Sequence, residues 1–430
     1  MADLARIRNE ELARILHQLA WSPERLAREV NLVLAPGLAI SQTAPYKWRD
    51  RGMVPRSPHD QAVCEVLSRA VGIAVTYEQL WGRMGSHRGA KALSARLLTD
   101  PWTADTAQIA LHEAGLQVAP VRLTDLFRGD ELARAAQHWS APPPPLTGGS
   151  GALLVTADQL NDLQASCVGK RRLGRACGGG LVLESARAEL AMVGKLLELG
   201  GYAEDEPLGR ALYGAAGRLA RLVGWAGADL GQEAAAQRAY VAALRAAHVA
   251  GEPQLAVSVV GSLAVQLTYY GAGRGLDPAQ LLGSALAAAG ATLAPQQRAR
   301  QLGRLALAHG RNGDREAAEA TADQAWTVLP RDAARAELAG LVGCAYLFLD
   351  DHKRARPLLT DAVAGLTAAR ARALLLVRLA DSYRRTGDTG RAAAAADQAR
   401  GLAAGMQSGL VARVLREFDG PRTGGGMQDS

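Results

Sequence analysis

Residues 26–57 read LAREVNLVLAPGLAISQTAPYKWRDRGMVPRS. Within this stretch a basic and aromatic cluster, YKWRDR (46–51), lies between Pro45 and Pro55. Because a proline is tolerated only in the first turn of a helix, the two prolines limit the cluster to one short helix that begins near Thr43. A chain rich in Ala, Leu and Gly therefore presents a compact, positively charged element here.

Short helices are predicted on both sides of the cluster. Residues 9–19 carry leucine and isoleucine at helical spacing on one face. Residues 22–24 (SPE) are typical of a helix start, because Ser caps the helix, Pro suits its first position and an acid suits the positive end of its dipole. Residues 60–71 and 76–80 are predicted to be the closing helices of this N-terminal block.

Several short helices with a basic third one are typical of a helix-turn-helix, whose second helix places side chains from its N-terminal end in the major groove. Gln suits an adenine edge, Thr offers a hydroxyl or a methyl group, and Lys or Arg suits a phosphate. The predicted DNA-contacting residues are Gln42, Thr43, Tyr46, Lys47, Arg49, Arg51 and Arg56. Trp48 is interpreted as an internal anchor. A solvated, charged helix end is the alternative interpretation of the cluster.

The pieces LAREVN, SQTAPYKW and RGMVPR occur in the order found in Cro/repressor-type (XRE-like) helix-turn-helix domains, which residues 26–57 resemble. The following VLSRAVGIAVTYEQLWG resembles the closing helices of that domain. Two features differ from the family pattern: the connection after Val30 is longer, and Pro45 falls inside the recognition helix. The resemblance implies a DNA-binding domain over residues 1–83.

The composition favours a helical protein of a reducing compartment. Of the 430 residues, 48% are hydrophobic but only 4% are aromatic, and Ala and Leu favour helix over sheet. The formal charge of +7 permits a polyanionic partner without demanding one. The four cysteines are widely spaced and suggest buried thiols. We expect a cytoplasmic location, since the charged, amphipathic N-terminus does not resemble a signal peptide.

One uncharged segment, residues 253–273, has about the length that crosses a bilayer. Its proline, glutamine, serine and threonine residues favour a buried helix of a helical repeat instead. We therefore expect no membrane partner.

Residues 84–151 are predicted to be a linker with a small helical insert, whose helices would cover 105–115 and 123–139. The proline run and the Gly/Ser run within 140–151 are typical of an interdomain linker. The basic run GKRRLGR (169–175) is interpreted as a solvated turn, with contact to a DNA backbone as the alternative.

From about residue 181 the pattern is helix, short turn, helix, with a period of roughly 37 residues in the last three copies. Small residues such as Ala306, Gly343 and Ala380 recur where paired helices must approach closely. The pattern resembles the tetratricopeptide repeat, which implies that the copies stack into a right-handed solenoid. An irregular helical bundle is the alternative. The repeat domain is predicted over 152–418, followed by a flexible tail over 419–430.

Such a solenoid has a concave face built by the first helix of each pair. The repeat pattern places six residues on or near it: Trp225, Thr268, Arg311, Asp381, Arg384 and Arg385. Polar, aromatic and basic residues in one groove suit a peptide or a small polar ligand. A solvated helix face is the alternative for each of them singly.

No motif predicts catalysis. The phosphate-binding GxxxxGK[ST] loop, a GxGxxG after a strand and HExxH are all missing from the sequence. We expect no enzyme activity and no catalytic, cofactor-binding or metal-binding residues.

The sequence thus predicts an all-α fold, a helix-turn-helix domain followed by a tetratricopeptide-type α-solenoid. The two halves together resemble actinobacterial transcriptional regulators with this domain order. The resemblance implies double-stranded DNA as a partner, a homodimer, and a peptide, small-molecule or protein signal bound by the repeats. The alternative is a protein-interaction scaffold whose helix-turn-helix no longer reads DNA.

Overall fold

The computed structural model describes residues 8–34, 37–55, 58–71, 75, 80–81, 96–116, 126–127, 129–146, 150–202, 206–270, 275–330 and 335–420. Within these ranges the fold is all-α, as the sequence predicts, with one parallel pair of two-residue strands, β1 (Leu153–Leu154) and β2 (Gly200–Gly201). The helices are α1 (Glu10–Gln18), α2 (Pro23–Val33), α3 (Ala44–Arg51), α4 (His59–Val71), α5 (Ala104–Leu116), α6 (Gly129–His138), α7 (Ala157–Cys177), α8 (Leu183–Leu199), α9 (Glu206–Asp229), α10 (Glu233–Ala250), α11 (Pro253–Tyr270), α12 (Pro278–Ala289), α13 (Pro295–Arg311), α14 (Arg315–Val328), α15 (Ala336–Phe348), α16 (His352–Gly365), α17 (Ala369–Arg385), α18 (Thr389–Ala403) and α19 (Gly409–Asp419).

Helices α1–α4 surround a small core of their own. Leu12, Leu26 and Leu67 are fully buried in it. The predicted helix starts are confirmed: the Asn9 side chain caps α1, and Ser22 caps α2 with Pro in its first turn. The predicted helix over 60–71 is α4, whereas 76–79 lies outside the described residues.

Helices α5 and α6, expected as a small insert, pack into the large core that the C-terminal helices build. Gly115 of α5 lies against the backbone of Ala191 in α8, where a methyl group would collide. The Tyr213 hydroxyl of α9 donates to the Ala104 carbonyl at 2.9 Å. Arg245 of α10 donates to carbonyls in the segment just before α5. The large core therefore begins before residue 104.

The basic run over 169–175 lies inside α7, not in a turn, and the solvated-turn interpretation is wrong. The helix begins with a capping box at Thr156 and continues because the run contains no proline. Gly174 allows α7 to approach α9 closely, since a Cβ there would lie 2.7 Å from the Trp225 ring.

The last three helix pairs share one turn. Gly313, Asp350 and Gly387 occupy equivalent positions with positive φ of 79°, 55° and 84°. In each turn the next residue is an aspartate that caps the following helix: Asp314, Asp351 and Asp388. The alternation of helix and short turn that the sequence predicts is thus present in these three pairs, with one turn geometry in common, while their stacking into a solenoid stays a prediction.

The two ends of the C-terminal region contact each other. The Gln407 amide donates to the Cys177 carbonyl at 2.8 Å, and the Gly180 amide donates to the Gln407 carbonyl at 2.9 Å. Helix α17 also packs against α7. The segment between α18 and α19 is thereby attached to the end of α7.

The N-terminal block lies against this region through α1 and α4. Arg14 donates to the Gly231 carbonyl at 2.9 Å, and Arg416 of α19 donates to the Ala70 carbonyl at 2.9 Å. In the ranges described here, no helix is both long and apolar enough to cross a bilayer.

Candidate nucleic-acid interface

Helix α3 begins at Ala44, so Pro45 lies in its first turn and interrupts no helical hydrogen bond. The helix ends at Arg51 and is capped by Gly52, whose φ of 65° is a left-handed conformation that favours glycine. The proline that departs from the family pattern is therefore compatible with a recognition helix of eight residues.

One face of α3 is anchored in the core of the block. Pro45 and Trp48 are buried, and the Trp48 ring meets the Trp81 ring edge to face, with centroids 6.1 Å apart. The interpretation of Trp48 as an internal anchor is confirmed. Its burial leaves the opposite face of α3 free to meet a partner.

Four of the predicted DNA-contacting residues are exposed on or just before α3: Gln42, Thr43, Lys47 and Arg51. Thr43 occupies the N-cap position without capping the helix, and its hydroxyl lies 3.1 Å from that of Ser41. In the described part of the chain no carboxylate pairs with Lys47 or Arg51, so both charges are available to phosphates. Arg56 lies outside the described residues.

Tyr46 and Arg49 are engaged within the block. The Tyr46 hydroxyl donates to the Glu24 carboxylate, which lowers the pKa of Glu24 and raises that of Tyr46. Arg49 donates to both carboxylate oxygens of Asp50, at 2.6 and 3.1 Å, and its guanidinium lies 5.0 Å from the centre of the Tyr46 ring. Tyr46 therefore links α3 to α2, and both residues are less available to DNA than the sequence suggested.

The predicted groove residues on the earlier helices are covered by neighbouring side chains. Thr268 is buried, and its hydroxyl donates to the Ala264 carbonyl of its own helix at 2.8 Å. The guanidinium of Arg370 lies 5.1 Å from the centre of the half-buried Trp225 ring. Thr268 thus offers no hydrogen bond to a ligand.

The carboxylate of Asp381 forms ion pairs with both Arg384 and Arg385, and each arginine also donates a hydrogen bond to another part of the chain. Each arginine donates to one carboxylate oxygen of Asp381 at 2.8 Å. Burial alone would raise the pKa of Asp381, but these hydrogen bonds and charges outweigh it and lower the pKa. Arg384 also donates to the Phe418 carbonyl, and Arg385 to Asp350 at 3.2 Å.

Arg311, the remaining groove candidate, is exposed and stacks on Phe348, with its guanidinium 5.1 Å from the ring centre. The geometry therefore gives the predicted arginines structural partners within the chain. Over the described ranges, no group of three or more His, Cys, Asp or Glu side chains could hold a metal ion.

Sequence reasoning missed the partners Glu24 and Asp50. Asp50 is adjacent to Arg49 in the sequence, so its effect on that charge was visible. Glu24 lies 22 residues from Tyr46, and only the packing of α2 against α3 brings the two together.

Comparison with known proteins finds one similarity. Residues 12–81 match a family model described as the SP15 N-terminal domain. The match begins inside α1, covers α2–α4 and extends to Trp81, the last residue of the small core. No curated protein and no solved structure matches the chain.

Proposed function

We propose that this protein is a sequence-specific, DNA-binding transcriptional regulator of the cytoplasm, in which α3 enters the major groove. The observation that carries the proposal is the two-sided character of α3. Trp48 fixes one face in the core, while Gln42, Lys47 and Arg51 stand exposed at the other. A short helix with base-reading and phosphate-binding side chains on its open face is what a helix-turn-helix requires.

The position of the N-terminal block supports the same function. It contacts the C-terminal region through Arg14 of α1 and Ala70 of α4, and not through the exposed residues of α3. DNA can therefore approach α3 while the block stays docked. A single helix-turn-helix covers one half-site, so the C-terminal helices would supply the dimer contact and receive the signal. Their resemblance to tetratricopeptide repeats suits both roles.

One observation favours the alternative, an interaction scaffold that no longer reads DNA. Arg49, the central basic residue of α3, is already neutralised by Asp50. Helix α3 therefore has fewer unpaired positive charges than its sequence indicates.

Selection of genomic fragments by the intact protein, followed by sequencing, distinguishes the two functions. A regulator enriches fragments that share a motif. Gln42→Ala should then weaken binding by ~1–3 kcal/mol at one base pair without lowering affinity for random duplex. Equal recovery of all fragments by the wild type would overturn the proposal and favour the scaffold.

A further inference from the structure

An open cleft of about 480 Å³ lies where α7, α9 and the start of α11 meet. An inner recess of about 230 Å³ adjoins it between α7 and α9. Arg171, Arg218 and Arg221 line both cavities, so three guanidinium groups from two helices surround one space.

Only one of these arginines has a carboxylate partner among the described residues. Arg218 donates to both oxygens of Glu252, at 2.9 and 3.2 Å. Arg221 makes one long hydrogen bond, to the Ser262 hydroxyl at 3.4 Å. The Nε atom of Arg221 and the Nη1 atom of Arg218 are buried without a hydrogen-bond partner. The cleft thus holds two guanidinium groups without a counter-charge, Arg171 and Arg221, and unused donors on Arg218 and Arg221.

This arrangement is costly for the unliganded chain. A buried donor without an acceptor has lost its hydrogen bonds to water without replacing them, and the penalty is larger when the donor is charged. Burial, together with the charges of Arg171 and Arg300, lowers the pKa of Arg221. Burial likewise lowers the pKa of the neighbouring Arg304 to about 10. An anion in the cleft would accept the free hydrogen bonds and offset the repulsion between the arginines.

The rest of the lining indicates a small molecule. Cys167, Val168, Ala215 and Leu222 give the inner recess apolar walls. Gln254, Ser258 and Gln297 give the outer cleft amide and hydroxyl groups. The volume of the outer cleft is typical of small-molecule sites, where a few polar groups orient a ligand against apolar walls.

We propose that this cleft binds a small organic phosphate, with its phosphate oxygens held by Arg171, Arg218 and Arg221 and its apolar part in the inner recess. Phosphate suits the site because its several oxygens accept hydrogen bonds from arginines that approach from two helices. The proposal deepens the sensing part of the proposed function and rests on it only for the identification of this ligand as the signal. Binding itself can be tested without DNA.

The test is calorimetry on the full-length chain with phenyl phosphate as the probe and phenol as its neutral counterpart. Wild type should bind phenyl phosphate saturably and phenol at least tenfold more weakly. Arg171→Gln and Arg221→Gln should each weaken phenyl phosphate at least tenfold. Arg172→Gln is the matched control, because Arg172 is exposed on the same helix but does not line the cleft.

Ligand-free stability provides the second measurement. Removing the uncompensated charge of Arg221 should leave the urea midpoint unchanged or raise it. If Arg221→Gln lowers the urea midpoint as a core mutation would, the guanidinium of Arg221 is structural and the proposed ligand contact by Arg221 is wrong. Binding of phenyl phosphate by Arg171→Gln then decides whether the cleft is a phosphate site. The proposal is overturned if wild type does not distinguish phenyl phosphate from phenol, or if both variants bind like the control.

Displacement of phenyl phosphate by duplex DNA would also overturn it, and would assign the cleft to a nucleic-acid backbone. Fragment selection with the Arg171→Gln variant separates this outcome from failure of the proposed function. If the Arg171→Gln variant still selects fragments with the wild-type DNA motif but no longer binds phenyl phosphate, both the proposed function and the proposed phosphate site are supported. Loss of both would overturn the assignment of the cleft to a small molecule.

Discussion

Arg370 of α17 donates two hydrogen bonds to the carboxylate of Asp229, at the end of α9, one of them from Nε at 2.8 Å. The Asp229 side chain is 0% exposed. It also accepts hydrogen bonds from the Ser408 hydroxyl and the Gly179 amide, each at 2.8 Å. One carboxylate therefore joins the end of α9 to three other segments of the C-terminal region, and Ser408 lies 179 residues from Asp229 in the sequence.

Asp229→Asn should destabilise the chain by about 3–5 kcal/mol, because it removes the fully buried negative charge that pairs with the guanidinium of Arg370. The matched control is Asp397→Asn. That side chain is 72% exposed in its pair with Arg400 and should contribute at most about 1 kcal/mol. Urea unfolding followed by circular dichroism measures both. Equal losses in the two variants would contradict the prediction.

Glu233 should make stability depend on pH. Burial raises its pKa to about 7, although Arg14 of α1 and Arg413 of α19 act to lower it. Because the folded-state pKa lies above the unfolded value, the folded chain binds this proton more tightly. The contribution is fully present below the ordinary glutamate pKa and is lost as the pH rises towards about 7.

Glu233→Gln should flatten that slope between about pH 4.5 and 7 and raise the urea midpoint at pH 8 relative to wild type. Glu316→Gln, on an exposed residue of α14, should keep the wild-type slope. A Glu233→Gln variant that retains the full pH dependence would assign the effect to another group.

The folding unit of the C-terminal region should begin near residue 96. Arg245 is 1% exposed and donates to the carbonyls of Leu97, Asp100 and Pro101 at 2.7–2.9 Å. A fragment of residues 152–420 loses all three acceptors and should melt well below a fragment of residues 96–420. Thermal melts followed by circular dichroism compare the two. Equal melting temperatures would show that α5 and α6 are dispensable.

The fragment of residues 96–420 also tests the dimer. We expect it to be dimeric, and residues 1–83 alone to be monomeric and to bind DNA poorly, because one helix-turn-helix covers one half-site. Light scattering with each fragment at several concentrations measures the masses. A monomeric 96–420 fragment would show that a dimer contact needs residues outside this fragment, or that the protein does not form a dimer.

The salt dependence of DNA binding should separate Lys47 and Arg51 from Arg49. Lys47→Gln and Arg51→Gln each remove a free charge, so each should reduce the slope of log affinity against log salt by about 0.9. Arg49→Gln should reduce it less, since Asp50 already neutralises this charge. Titrations of a fluorescent duplex at several salt concentrations measure the slopes. A larger change for Arg49→Gln would indicate that the pair opens on DNA.

The features that sequence analysis predicted correctly are local. Ser22 caps α2 within three residues of its own position, and Pro45 is tolerated because it lies in a first turn. The shared turns at Gly313 and Gly387 likewise depend on a few adjacent residues. Such signals are contained in a short stretch of chain, so a single sequence reveals them.

What could not be predicted depends on contacts between distant helices. Arg218 and Arg221 are three residues apart and so share a face of α9, which was a visible signal. That Arg171 of α7 faces the same space follows only from the packing of the two helices. The interpretation of 169–175 as a solvated turn also placed Arg171 outside any helix, so it gave no reason to expect Arg171 beside α9. The partner of Asp229 is unpredictable for the same reason, since Arg370 follows it by 141 residues.

The hydrogen bond from Arg416 to Ala70 joins residues 346 positions apart, so the two are made at very different times during translation. At about 5–20 residues per second, the ribosome needs roughly 17–70 s to proceed from one to the other. During that interval a folded N-terminal block is already present, while the last helix that will hold it is still unmade. The N-terminal block therefore spends this interval without its contact to α19, so its helices must hold together through their own small core.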